Sequence, residues 1–188
     1  ENGPWYADEI NFVEPGFNSG WKKVQGLSYL YNKYSKAQFD PGSLVSVDGE
    51  GKYSEPEFVS NETLGITGIK FLNSEKLGSN YENDLFVGDF NNGNMYHFDL
   101  NSDRTALLLK SKLADYIANN RDELDEVIFG RGFGAILDIE VGPDGYLYVL
   151  SLYDVKDKCS LETVYANCYK FSSKEIHGSI FRIVPVNK

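Results

Sequence analysis

The sequence contains few of the residues that carry most metal, redox and nucleophilic chemistry. Its 188 residues include two histidines, two cysteines and one methionine. Neither His97 nor His177 lies in an HExxH motif, and the chain has no paired CxxC, no GxSxG and no P-loop. These absences exclude the zinc-protease, dithiol, α/β-hydrolase and P-loop classes that such motifs define. We expect His97 on the face of a strand and His177 beside a turn.

Basic residues and long apolar runs are also scarce. The chain has 18 lysines and arginines against 28 acidic residues, a formal net charge of −10. Nucleic-acid binding requires a basic surface, so we expect no nucleic-acid partner. No run of about 18 apolar residues is present, so we expect no membrane span. The 41% hydrophobic content and the abundance of Tyr and Phe, 13 and 12 copies, favour a globular protein rich in strands.

Three strand-like segments recur in the same order. The first series lies at 66–71, 85–89 and 93–98, and the second at 136–141, 147–151 and 178–183. Turns that favour positive φ, at 91–93 and 143–145, separate strands within each series. A repeated meander of short strands is typical of a β-propeller. The pattern therefore predicts an all-β fold, a partial β-propeller of about three blades.

The rest of the chain is less regular. Alternating residues predict a half-buried strand at 9–13, and further strands are predicted at 43–47 and, as the outer strand of the first series, at 105–109. Helical spacing predicts a short helical insertion at 111–128, ended by glycines that form a connector at 130–134. We expect a single partial propeller domain over 1–188. Its parts are the end of one blade with a surface excursion (1–57), a second blade with the helical connector (58–134) and a third blade (135–188).

Two features favour an exported protein. Cys159 and Cys168 lie close together in a polar insertion, where a local disulfide would suit an oxidising compartment; two free thiols are the alternative. Asn61 begins an Asn-Glu-Thr glycosylation sequon. We therefore expect an extracellular, periplasmic or cell-surface location.

One cluster of oxygen ligands stands near the beginning of the chain. Asp8 and Glu9 are adjacent carboxylates, and the turns at 3–4 and 18–20 can supply backbone carbonyls. Hard cations such as Ca²⁺ prefer this mixture of oxygens, although the spacing is not that of an EF-hand. The cluster predicts a candidate calcium site.

The chain resembles the glucose/sorbosone dehydrogenase family, the soluble sugar and aldose dehydrogenases that depend on pyrroloquinoline quinone (PQQ). The residues that carry the resemblance lie at 1–4, 8–11, 16–21, 138–149 and 178–183. It implies a six-bladed β-propeller, of which this chain would be the C-terminal half. It also implies that carbonyls of Gly3 and Pro4 hold a calcium ion that contacts the quinone. Glu9 and Ser19 match the positions that bind a second calcium in the family.

Other positions depart from the family pattern. The family lysine that contacts the quinone falls near Asn91. The family's Arg-x-Arg-Asp run aligns with residues 135–138, where Ala135 and Leu137 replace the two arginines and Asp138 retains the aspartate. Cationic side chains cannot be replaced by Ala and Leu at a tricarboxylate quinone. The family's catalytic histidine belongs to the first half of the domain, so no catalytic residue is assigned in this chain.

Two functions are compatible with this pattern. One is a sugar dehydrogenase-like propeller that oxidises an aldose at C1 with quinone and calcium. The other is a non-catalytic, calcium-stabilised propeller that binds a glycan or a protein. Residue 1 is a glutamate, so we expect the chain to be part of a longer protein. Because a partial propeller leaves sheet edges unpaired, we expect as partner either the missing N-terminal half or a second copy of the chain.

Overall fold

The computed structural model describes residues 1–3, 6–34, 40–44, 47–152 and 178–185. In these residues the strands are β1 Asp8–Ile10, β2 Phe17–Asn18, β3 Lys52–Tyr53, β4 Phe58–Ser60, β5 Ile66–Phe71, β6 Leu85–Asp89, β7 Asn94–Phe98, β8 Ile117–Ala118, β9 Ile128–Arg131, β10 Ile136–Val141, β11 Leu147–Ser151 and β12 Ser179–Arg182. The α-helices are α1 Ser28–Tyr34 and α2 Arg121–Leu124. Short 3₁₀ helices lie at Pro41–Ser43, Val47–Gly49, Glu75–Leu77, Ser79–Tyr81, Ser111–Leu113 and Asp125–Val127. No helix among the described residues is long and apolar enough to cross a bilayer.

The elements form two compact units. Unit 1 contains Glu1–Gly65 and Asp99–Glu126, and unit 2 contains Ile66–Phe98 and Val127–Lys188. The predicted repeat lies in unit 2, whose two antiparallel sheets have the strand orders β5-β6-β7-β9 and β10-β11-β12. The predicted partial β-propeller is confirmed, and its repeated strands have nearly the bounds that the sequence predicted. The predicted blade divisions at 58 and 135 stay a prediction.

The two sheets of unit 2 enclose one apolar core. Its fully buried members come from both sheets and are Leu72, Phe86, Met95, Ile136, Ile139, Leu147 and Val149. The approach is so close that two positions have no room for a side chain. A Cβ on Gly88 would lie 2.5 Å from Cγ2 of Ile136, and one on Gly68 would lie 2.9 Å from the main-chain nitrogen of Ile139. The sequence therefore places glycines where the first sheet meets β10.

Unit 1 has a parallel pair, β2-β3, and a three-stranded sheet that is made by distant parts of the chain. The order is β1-β4-β8, with β1 antiparallel to β4 and β4 parallel to β8. Ala7, Leu27, Val59 and Ile117 form the buried cluster of this unit. The pairing places β4 in the sheet of unit 1, so the first repeated sheet begins at Ile66.

Several expected elements were wrong. The outer strand of the first repeated sheet is β9, not 105–109, because the Asn101 side chain accepts bonds from the nitrogens of Thr105 and Ala106 and holds a tight turn there. The predicted glycine connector at 130–134 thus begins inside a strand. The strand expected at 9–13 is three buried residues, Asp8–Ile10, and in the described part of 43–47 there are 3₁₀ helix ends. The helical insertion at 111–128 is confirmed, interrupted by β8.

Candidate cation site at Glu9

Glu9 is the central residue of β1 and carries a buried carboxylate. It pairs with Val59 of β4, and only 2% of the residue is exposed. Its Oε2 accepts a hydrogen bond from the Gly26 nitrogen at 3.0 Å, and its Oε1 accepts one from Nδ2 of Asn11 at 3.3 Å. These two donors leave lone pairs on both oxygens free, because a carboxylate offers about four acceptor positions.

The environment of Glu9 disfavours its charge. Burial raises the pKa of the Glu9 carboxyl, and the bonds from Asn11 and Gly26 lower it only in part. Among the described residues, no lysine or arginine forms an ion pair with Glu9. A buried carboxylate without a cationic partner is costly. A bound cation would compensate this cost.

Two buried side-chain oxygens, on residues that contact Glu9 or adjoin a residue that does, have no hydrogen-bond partner in the described structure. They are Oδ1 of Asn11 and Oε1 of Gln25. Asn11 contacts the carboxylate directly, and Gln25 precedes Gly26, whose nitrogen bonds to it. Side-chain amide oxygens are ligands that Ca²⁺ accepts beside carboxylates. The residues present therefore fit a calcium ion.

The surroundings of this site are negative. The Tyr53 hydroxyl donates to Oε2 of Glu55 at 2.9 Å and lies 3.5 Å from the Gly26 carbonyl oxygen. Burial raises the pKa of Tyr53, and the charges of Glu55 and then Glu9 raise it further. The same Glu55 accepts from the nitrogen and the hydroxyl of Ser28 at the start of α1. Two carboxylates near one segment of backbone favour a cation over an anion.

Ser19 lies in the turn that follows β2. The Asn18 side chain accepts from the Gly20 nitrogen at 2.9 Å and fixes this turn. A Cβ on Gly20, whose φ is +91°, would lie 2.9 Å from the Tyr53 ring, so the turn passes close to that ring. No hydrogen bond of the described residues joins Ser19 to Glu9, and the role of Ser19 as a calcium ligand stays a prediction.

The carboxylate oxygens of Asp8 accept hydrogen bonds from main-chain nitrogens. Asp8 is fully buried, and its carboxylate accepts from the nitrogens of Gly3 at 2.7 Å, Leu64 at 2.7 Å and Gly65 at 2.6 Å. These bonds join β1 to the backbone at Gly3 and at 64–65, which gives Asp8 a structural role. Its assignment as a metal ligand stays a prediction.

Gly3 is confined by its neighbours. A Cβ on Gly3 would lie 1.8 Å from the Tyr6 carbonyl oxygen, so position 3 accepts only glycine. Pro4, its predicted partner in cofactor binding, lies outside the described residues.

The positions expected to contact a quinone do not fit it. Ala135 is buried, and Leu137 is an apolar side chain that is 38% exposed. Oδ1 of Asp138 accepts from the adjacent Ile139 nitrogen at 2.9 Å. Asn91 lies in the hairpin turn between β6 and β7. None of these side chains is cationic, so these positions offer nothing to pair with quinone carboxylates.

The remaining predicted sites lie elsewhere. Asn61 is exposed, and its Nδ2 donates to Oδ1 of Asn119 at 3.2 Å, so the sequon lies at the surface. Cys159 and Cys168 lie outside the described residues. Nε2 of His97 lies 2.9 Å from Oδ2 of Asp84, and its ring packs edge-on against Tyr81.

Sequence reasoning missed Asn11 and Gln25. Asn11 follows Glu9 by two residues and belongs to the predicted strand and to the segment 8–11 that carries the resemblance, but no ligand role was predicted for it. Gln25 is sixteen positions beyond Glu9, and no sequence spacing links the two. The signal is the pair of unpartnered buried oxygens, which only the structure reveals.

Comparison with known proteins finds similarity to sugar dehydrogenases. The family model described as Glucose / Sorbosone dehydrogenase matches residues 1–157. The aldose sugar dehydrogenase YliI of Escherichia coli (strain K12) is 28% identical over 152 residues, which cover 80% of this chain and 34% of that protein. The chain thus spans about a third of the length of this relative.

Two solved structures share the fold. A glucose dehydrogenase crystal structure has a TM-score of 0.51 and 23% identity, covering 80% of this chain and 36% of that one. An oxidoreductase (glucose dehydrogenase) from Thermus thermophilus has a TM-score of 0.50 and 22% identity, covering 80% and 34%.

Proposed function

Because the chain belongs to the glucose/sorbosone dehydrogenase family, we propose that it is the calcium-binding part of a sugar dehydrogenase-like propeller. The proposed reaction of the whole protein is the quinone- and calcium-dependent oxidation of an aldose at C1. The observation that carries the calcium assignment is the buried Glu9 carboxylate, together with the unpartnered amide oxygens of Asn11, which contacts it, and of Gln25, which precedes Gly26.

The calcium ion proposed here has a structural role. Glu9 and a carbonyl of Ser19 would hold it, with Tyr53 and Glu55 nearby. The ion would neutralise a carboxylate that burial disfavours, and it would join β1 to the turn after β2. Binding to the folded state alone would stabilise the protein by mass action.

Among the described residues, we assign no side chain a catalytic role in this reaction. His97 is held by Asp84 and by aromatic packing, and the quinone-contact positions are Ala135 and Leu137. We therefore propose that the residues that act on the quinone and the sugar lie in other parts of the protein. The isolated chain is expected to be inactive.

A second function is favoured by these same two positions. If the longer protein has also lost its quinone contacts, the propeller is a non-catalytic, calcium-stabilised module that binds a glycan or a protein. A propeller fold does not require catalysis, since the same fold hosts many unrelated functions.

Dye reduction separates the two functions. The longest natural protein that contains residues 1–188 is mixed with PQQ, Ca²⁺ and a dye acceptor, and a series of aldoses is scanned. Sugar-dependent dye reduction supports the dehydrogenase and rejects the binding-only function. Its absence in protein that has taken up calcium rejects the dehydrogenase.

The described outer face of the second repeated sheet suggests a partner. Leu150 and Ile180 are paired neighbours on β11 and β12, and both are exposed. We propose that either the remaining blades or a second copy covers such surfaces. Light scattering in calcium distinguishes them for the chain alone. A mass near twice 21.2 kDa indicates self-association, and a mass of 21.2 kDa indicates that the remaining blades are required.

We also propose that the protein is exported and that Cys159 and Cys168 form a disulfide. Thiol titration of unreduced, denatured protein is expected to find no free thiol. Two reactive thiols would contradict the disulfide and remove its support for export.

A further inference from the structure

We propose that Gln25 and Asn11 are cation ligands, through Oε1 of Gln25 and Oδ1 of Asn11, in a hard-cation site centred on Glu9. The inference rests on the proposed function only in placing calcium at Glu9. It adds two neutral oxygen ligands that extend the carboxylate into a mixed oxygen site, the kind that Ca²⁺ prefers.

Gln25 is held in place by its nitrogen. Its Nε2 donates to the carbonyl oxygen of Ala7 at 2.8 Å, and the residue is 9% exposed. Rotating the Gln25 amide by 180° would place its oxygen against the Ala7 carbonyl oxygen, and two acceptors repel each other. The free oxygen is therefore a property of the site, because exchanging the two amide atoms does not remove it.

The same argument applies to Asn11. Its Nδ2 donates to Oε1 of Glu9 at 3.3 Å. Exchanging nitrogen and oxygen would place the amide oxygen against the carboxylate and leave a buried donor unpaired. Both amides thus turn their nitrogens to protein acceptors and leave their oxygens available.

The backbone joins these groups to the same carboxylate. The Gly26 nitrogen donates to Oε2 of Glu9, so Gln25 belongs to the peptide segment that contacts Glu9. Gly26 has a φ of +69°, and a Cβ there would lie 3.1 Å from Cβ of Ala7 and 3.3 Å from Cγ1 of Val59. Glycine at this position lets the Gln25 segment approach β1 closely, which places Gln25 beside the strand that carries Glu9.

A buried water molecule is the alternative occupant. It can donate to at most two of these oxygens, and it leaves the charge of Glu9 without compensation. A cation satisfies the carboxylate and the amide oxygens together. The two occupants differ in one measurable respect, the response to calcium.

The test measures the Ca²⁺ dissociation constant of the full chain by calorimetry, with Tb³⁺ luminescence as a second readout. Gln25→Met removes the oxygen at similar volume, and we expect it to weaken binding by at least about tenfold. Gln25→Glu offers a carboxylate in place of the amide, and we expect it to strengthen binding. Asn120→Asp adds the same charge at a helix cap in unit 1 that does not contact Glu9, and it should leave binding unchanged.

Each result bears on the proposal. If Glu9→Gln abolishes binding while both Gln25 variants keep the wild-type constant, calcium stands at Glu9 and Gln25 is not a ligand. If the wild type binds no calcium, the site holds water and both the inference and the calcium assignment fail. Dye reduction by the longer protein is independent of either result. Circular dichroism in EDTA shows that each variant is folded, and a variant that only loosens the fold shifts its melting equally with and without calcium.

Discussion

Oγ1 of Thr67 donates a hydrogen bond to the main-chain oxygen of Ile136, and the two atoms lie 2.7 Å apart. Thr67 lies where the pairing of β5 with β6 shifts register, and Ile136 lies where the pairing of β10 with β11 does so. The two sheets of unit 2 thus meet at equivalent irregular positions of the repeat. A ladder interrupted at both places leaves a carbonyl that a side chain of the other sheet satisfies.

Thr67→Val is expected to lower the free energy of unfolding by about 1 kcal/mol, because it removes the hydroxyl and keeps the shape. Thr67→Ser keeps the donor and serves as the control. Urea unfolding measures both variants. A loss of stability in Thr67→Ser with none in Thr67→Val would show that the methyl group, rather than the hydrogen bond, stabilises this contact.

Gly88→Ala tests the close approach of the two sheets. The added Cβ would meet Cγ2 of Ile136 at 2.5 Å, and such overpacking costs about 1–3 kcal/mol. In the double variant Gly88→Ala with Ile136→Ala the 2.5 Å contact with Cγ2 is removed, so the loss should be smaller than the sum of the two single losses. Gly178→Ala is the control, because among the described residues the nearest atom to a Cβ at that position, the Ser151 oxygen, is 3.7 Å away. Additive losses would contradict a direct contact.

Asp89 is expected to make stability depend on pH. It is fully buried, and it accepts from the nitrogens of Asn92 and Asn94 and from the Tyr96 hydroxyl in the hairpin between β6 and β7. Burial raises the pKa of its carboxyl above 3.8, and these bonds oppose the rise.

Because the folded protein holds this proton more tightly, the contribution of Asp89 to stability is fully present below its unfolded pKa and is lost as pH rises through the folded value. The stability of the wild type relative to Asp89→Asn should therefore fall as pH rises above 3.8. Tyr96→Phe removes an opposing bond and should move this fall to higher pH. Urea unfolding between about pH 3 and 7, compared across the three proteins, measures it. A free energy of unfolding of the wild type that rises with pH relative to Asp89→Asn would contradict the prediction.

The repeated strands were predictable because their determinants are local. Apolar alternation over 85–89 and 147–151 and the turns at 91–93 and 143–145 specify strands and their ends within a few residues. The outer strand β9 was missed because its residues adjoin a helical pattern and pair with β7, some thirty positions earlier. The sheet of unit 1 depends on pairing between β1, β4 and β8, which are separated by about fifty residues or more, and sequence periodicity does not reveal such partners.

The candidate site was likewise predictable from the sequence only in part. Glu9 was predictable, since adjacent carboxylates beside glycine turns are a recognisable cation pattern. Its full burial was not, because the alternation over 9–13 indicated a half-buried strand. Gln25 was not predictable from the sequence. Two hydrogen bonds place it beside β1, one from the Gly26 nitrogen to Glu9 and one from its own amide to the Ala7 carbonyl, and both join residues that only the fold brings together.

The most direct test of the calcium site is the melting temperature of the full chain and of Glu9→Gln, each in EDTA and in saturating calcium. At a calcium concentration about 100 times the dissociation constant, binding should stabilise the wild type by about 2.7 kcal/mol, which raises its melting temperature by about 5–10 °C. Magnesium at the same concentration controls for ionic strength and should have a smaller effect, because this ion gives up its water reluctantly. We expect a calcium-dependent rise in the melting temperature of the wild type and none in Glu9→Gln. Identical wild-type melting in EDTA and in calcium would contradict it.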